Sequence, residues 1–227
     1  MEKGRSSKII AIVALCVGVV GLSLGFAAFS STLTISSSAE VAPDASTFNV
    51  DFSSSQSSVV TDNIIPEITP SGVANFTATE ATISNEGDPT ISNLKATFTE
   101  PGQKAVYSFY AFNAGEYEAF LNSITFAGST PVTCTAKENT DPTLVANACK
   151  GIKLTVDVNG VTAYVTGPVD PADENAGSKA TIQSHSLASK AGESVTVTIE
   201  YLPGSARADG DFDVAFGNVT LTYSSVD

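Results

Sequence analysis

The sequence predicts an all-β protein: an antiparallel β-sandwich or jelly roll of about ten strands, preceded by one N-terminal hydrophobic helix. Three observations carry this expectation. Beyond residue 29, about ten short stretches alternate apolar and polar side chains at period two, the spacing of half-buried strands. Ten prolines and seventeen glycines lie among them, dividing the chain into turns rather than long helices. Ahead of them, residues 9–29 run for twenty-one positions without a charge, with Ser23 the one clearly polar side chain.

At 1.5 Å per residue, a helix over 9–29 spans roughly the 30 Å of a bilayer's hydrocarbon core. Lys3, Arg5 and Lys8 stand before it against Glu2 alone. Such a positive flank stays on the cytoplasmic side, so the rest of the chain is expected outside the cytoplasm. Residues 1–29 read either as a signal peptide or as a transmembrane anchor. The length of the run favours an anchor, while small-residue sites after Ala27 and after Ala39 would suit cleavage. Cys16 lies inside the run behind bulky Leu15 and reads as an ordinary apolar helix residue, not a lipidation site.

The remainder, residues 30–227, is long enough for one large or two small domains with a real core, and is read as one extracellular β-sandwich domain. Leu33, Ile35, Ala39 and Val41 share one face of a strand over 30–41, before Pro43-Asp44 breaks it. Residues 47–52 resume the alternation, and the serine-rich 53–63 reads as a flexible loop. A long strand is expected over 73–84, a turn at 85–89, and another strand over 91–98. In 104–115, Tyr107 and Phe109 lie on one face and Val106, Tyr110 and Phe112 on the other, which predicts a central strand covered on both sides. The chain returns over 118–126, then makes an irregular excursion at 127–150. Asn159-Gly160 marks a tight hairpin between strands at 152–158 and 161–165. After a loop at 167–178, strands follow at 180–187 and 194–202, and a last one from Phe212 kinks near Gly217-Asn218. Pro101-Gly102-Gln103 and Ala191-Gly192-Glu193 share one grammar, a small-residue turn ahead of a long inner strand.

Charge and chemistry narrow the function. Removing Lys3, Arg5, Lys8 and Glu2 from the totals of 11 basic and 24 acidic residues leaves 8 against 23, a net charge of −15. That repels phosphate backbones, so nucleic-acid binding is not expected. Cys134 and Cys149 form a pair in an exported region and should oxidise to a disulfide that ties the excursion at its base. As metal-ligand thiolates they would need companions, and His185 is the only histidine in the chain. It sits between serines in a loop-like stretch, with no nucleophile–base trio around it. The sequence contains neither an HExxH motif nor a phosphate-cradling glycine loop, and no cofactor is expected. Asp209, Asp211 and Asp213 alternate as weak calcium candidates, and Asp170, Asp173 and Glu174 sit in a loop as a second group. The first group lacks the glycine and distal glutamate of a hand-type loop, and solvated turn carboxylates are the alternative. Asn75 and Asn218 head glycosylation sequons, which matter only in a host that glycosylates.

The helix ending GLSLGFAAFSSTLTIS, the run TFNVDFS and the strand within PGQKAVYSFYAFNAGEYEAFLNSI resemble the TasA/camelysin group. KAGESVTVTIEYL and DFDVAFGNVTLTYSS are similar in style to the end of that domain. The resemblance covers the N-terminal third to half of the chain. It implies an exported bacterial protein with a jelly-roll fold, of a group in which several members assemble into biofilm-matrix or surface fibres. It also implies assembly by strand donation, with residues 30–41 completing a neighbour's sheet and Leu33 and Ile35 as plugs; pairing within its own domain is the alternative. The metallopeptidase activity claimed for the group does not carry over, because its ligands are missing here. The cysteine-tied excursion and the strongly apolar helix depart from the group's pattern. The expected function is therefore non-catalytic: a structural protein of the cell surface or biofilm matrix. The alternative is a membrane-anchored immunoglobulin-like adhesion module whose loops at 127–150 or 167–178 bind a glycan or protein.

Overall fold

The computed structural model describes residues 48–69, 75–126, 132–166 and 186–225, all within the compact unit Pro43–Asp227. The expected helix over 9–29, the strand over 30–41 with Leu33, Ile35, Ala39 and Val41, the loop at 167–178 and His185 lie outside the described residues. Among those described, no helix is long and apolar enough to cross a membrane.

The fold is all-β with antiparallel pairing, as expected. The first layer is built on two ten-residue strands, β7 (Lys104–Asn113) and β13 (Gly192–Tyr201), which pair along their length from Gly192 opposite Phe112 to Glu200 opposite Lys104. On the far side of β13 come β10 (Ile152–Val158) and β11 (Val161–Thr166), joined by the expected Asn159-Gly160 hairpin. Both turn residues have positive φ, which Asn and Gly tolerate best. On the near side, β1 (Val50–Ser53) and β2 (Glu67–Thr69) share the outer edge of β7.

The second layer consists of two smaller sheets. One has the order β12 (Ser186–Leu187), β8 (Ala119–Phe126), β15 (Val219–Ser224), β5 (Thr90–Ser92), β4 (Thr82–Ser84). The other runs β9 (Val132–Ala136), β14 (Phe212–Phe216), β6 (Lys95–Phe98), β3 (Thr77–Ala78). Apart from β12, which has no counterpart, the two orders correspond, β8 to β9, β15 to β14, β5 to β6 and β4 to β3, so this layer is a single antiparallel sheet broken across its middle. The expected single strands at 73–84 and 91–98 are each split there. Asn93 adopts a left-handed backbone (φ 63°) at one break, and the expected kink at Gly217-Asn218 lies at another. Tyr107, buried on the facing layer, donates its hydroxyl to the carbonyls of Thr79 and Lys95, 3.0 and 3.1 Å away, beside the break.

The layers meet over one continuous core, with Tyr107, Phe109, Val197 and Ile199 from the first and Leu94, Phe98, Phe212 and Leu221 from the second. Tyr201 bridges them, its ring centroid 6.0 Å from that of Phe98 and 5.4 Å from that of Phe212. Burial of this apolar core, aliphatic and aromatic together, is the main favourable contribution to folding.

Three expectations need correction. Strand β7 is covered on one face: Val106 and Tyr110 are half-buried and Ser108 is exposed, so only Phe112 of the outer set is buried. Nor is 132–150, the described part of the region 127–150, irregular. It holds β9 and the one helix among the described residues, α1 (Pro142–Cys149). The serine-rich 53–63 is a closed, hydrogen-bonded loop. The buried Ser53 hydroxyl donates to the Ser58 carbonyl and accepts from the amides of Ser55 and Val60.

Candidate functional site

The densest grouping of sequence-predicted residues is where β9, α1 and the β13–β14 connection converge. Cys134 stands mid-strand in β9, opposite Val214, and is bonded to Cys149, the last residue of α1, with the Cα atoms 6.0 Å apart. Alternation along β9 turns Val132, Cys134 and Ala136 toward the core and leaves Thr133 and Thr135 exposed. The helix starts at Pro142, which suits a first position whose amide needs no partner. Asp141 caps it, accepting the Thr143 amide at 2.7 Å. Val145 and Ala148 enter the core, and Leu144 is partly exposed.

Lys137, Glu138, Asn139, Thr140, Asp209, Gly210 and Asp211 line an open concavity of about 660 Å³ beside this element. Its two walls are laced together. The Thr140 hydroxyl and the Lys137 amide donate to the Asp211 carbonyl at 3.0 and 3.1 Å, and the Asp141 amide donates to Asp209 Oδ1 at 2.9 Å.

The calcium candidates are thereby given three different tasks. Asp209 holds the helix entry and Asp211 offers its backbone carbonyl. Asp213, in β14, accepts the Thr97 hydroxyl at 2.7 Å and lies 2.9 Å from Lys95 Nζ and 3.6 Å from Lys137 Nζ. Burial acts to raise its carboxyl. The hydrogen bonds from Lys95 and Thr97 and the two lysine charges outweigh that and hold it below the usual carboxylate value. Among the described residues no three His, Cys, Asp or Glu side chains gather as a cation site. Asp170, Asp173 and Glu174 lie outside the described residues. The sequon residues are both exposed, Asn75 ahead of β3 and Asn218 between β14 and β15.

Sequence reasoning missed the buried polar groups that close the two ends of the body. Gln103, at the start of β7, accepts the amides of Thr99 and Glu100 at 2.8 and 3.1 Å and donates to the Thr99 hydroxyl at 2.7 Å. Glu193, at the start of β13 and hence at the opposite end, accepts the Tyr223 hydroxyl at 2.9 Å in a buried pair. Burial, then the Glu193 charge and hydrogen bond, push the Tyr223 phenol well above its ordinary value. Asn113 donates to the carbonyls of Tyr117 and Leu187 and accepts the Gly115 amide. The shared turn grammar before 104 and 194 was the one signal that pointed to Gln103 and Glu193. These groups hydrogen-bond structural partners, and among the described residues no buried side-chain polar atom lacks a partner.

No protein-family model, curated protein or solved structure matches the chain.

Proposed function

We infer that the chain is a non-catalytic, exported structural protein of the cell surface or biofilm matrix, like the TasA/camelysin group its sequence resembles. In this reading residues 1–29 deliver the body outside the cytoplasm, cleaved or retained as an anchor. The body is a jelly roll, and the amphipathic strand at 30–41 completes the sheet of a second copy. The observation that carries the reading is the position of β1. It lies on the outer edge of the first layer with β7 as its only strand neighbour among the described residues, so the chain arriving from residues 30–47 joins the body at a sheet margin. In this reading the segment ahead of β1 exchanges main-chain hydrogen bonds with another chain. Two further features support it. The chain passes between layers from β7 to β8 and from β13 to β14, a habit of jelly rolls. The Cys134–Cys149 bond suits an oxidising compartment.

The test replaces Leu33 and Ile35 with Asp and images the purified protein by electron microscopy. Wild type should form fibres, and the variant should remain a folded monomer with unchanged circular dichroism. Fibres from the variant, or monomers from wild type, would sink strand donation. The concavity beside α1 favours a second reading, a surface-anchored binding module. A persistently monomeric wild type would point to that alternative.

A further inference from the structure

Strand β9 is the margin of the second layer, and among the described residues its only strand neighbour is β14. Exposed strand margins invite pairing with another chain, and natural sheets cover them with charge, proline or a helix. Here the cover is α1, whose main contact among the described elements is β9. Eight residues are too few for a helix to persist on its own in water. Its hold therefore depends on Val145 and Ala148 in the core, the cap at Asp141, and the Cys134–Cys149 bond. The last of these is removable.

We propose that this disulfide is a redox-sensitive latch, and that opening it frees the β9 margin to pair antiparallel with the same strand of a second copy. The argument for that occupant is self-complementarity. Thr133-Cys134-Thr135 reads the same in both directions, so a two-fold axis through Cys134 sets Thr133 opposite Thr135 and the two Cys134 residues opposite each other. Facing β-branched residues favour such pairing. Two copies of a chain of net charge −13 repel in general, but residues 132–136 carry no charge, so contact there adds no local repulsion.

The chemistry balances through thiol–disulfide exchange. A dithiol reductant converts the Cys134–Cys149 bond to two thiols and becomes a disulfide itself. With glutathione disulfide present, one Cys134 thiolate attacks it, giving a mixed disulfide and releasing one glutathione. The second copy's Cys134 thiolate then attacks the protein sulfur of that mixed disulfide and releases the other. Two protein thiols are oxidised, and one glutathione disulfide is reduced to two thiols.

The experiment uses the full chain in detergent with Cys16→Ser throughout, so that residue 16 cannot cross-link. Cys149→Ser leaves Cys134 free, and Cys134→Ser leaves Cys149 free. After incubation in a glutathione redox buffer, non-reducing electrophoresis should show at least ten times more covalent dimer for Cys149→Ser than for Cys134→Ser. Adding Thr133→Lys and Thr135→Lys, both exposed positions, to Cys149→Ser should remove that excess by setting lysines against lysines. In parallel, the Cys16→Ser parent carrying Leu33→Asp and Ile35→Asp, which keep it from forming fibres, should shift from monomer to dimer on size exclusion when treated with dithiothreitol. Equal dimer yields from the two single-thiol chains, or a dimer indifferent to the lysines, would overturn the proposal. So would a reduced parent that stays monomeric.

Discussion

Asp213 occupies a place where alternation alone suggested a solvated carboxylate, and its neighbours make it an ion-pair centre. Lys95 comes from the adjacent strand and Lys137 from just beyond β9, a meeting that spacing along the chain does not reveal. Because its folded-state value lies below the ordinary one, its contribution is present above about pH 4 and is lost as pH falls through the lowered folded value. Asp213→Asn should therefore be less stable than wild type near neutral pH, and the gap should close on acidification. Urea unfolding at pH 7 and at pH 3 would measure this. Gly192 is a second residue-scale case. A Cβ there would lie 2.3 Å from the Gln56 carbonyl oxygen, where the 53–63 loop folds over the start of β13. Backbone cannot swing aside as a side chain can, so Gly192→Ala should cost about 1–3 kcal/mol in the same assay. Had the glycine been present only for its turn, alanine would be nearly neutral.

At the scale of elements, the Cys134–Cys149 pairing was legible because the two cysteines outside the apolar run have one way to join. The element it ties was not. Eight residues beginning Pro-Thr give too little periodicity for a helical pattern to stand out from loop. The bond closes a sequence separation of 15, for which the chain-entropy model assigns about 3 kcal/mol. Replacing both cysteines with serine should lower the unfolding free energy by about that amount in guanidinium titration, read by far-ultraviolet circular dichroism. A loss well under 1 kcal/mol would mean that α1 is held by its core contacts alone. The splits at 79–81 and 93–94 escaped sequence reading for a related reason: alternation runs through both, and the left-handed turn at Asn93 is a backbone property.

For the whole molecule, the two layers are coupled through Tyr107, whose hydroxyl crosses the core to the break in the opposite sheet. Tyr107→Phe keeps the ring's packing and removes only the donor, so about 1–2 kcal/mol should be lost. Amide exchange near Thr79 and Lys95 should rise with it, and unchanged protection there would show that the break is maintained by its own strands. The sequence by itself determined the fold class, most strand positions, the hairpin at Asn159-Gly160 and the cysteine pair. Period-two alternation, turn residues and thiol pairing are local properties that survive without knowledge of neighbours. Only the tertiary structure decided that one layer is broken, that β7 buries a single face, and that Asp209, Asp211 and Asp213 serve three separate contacts. Each of those depends on which strand lies opposite, and the pairing partners are distant in sequence because the chain passes between the two layers before returning.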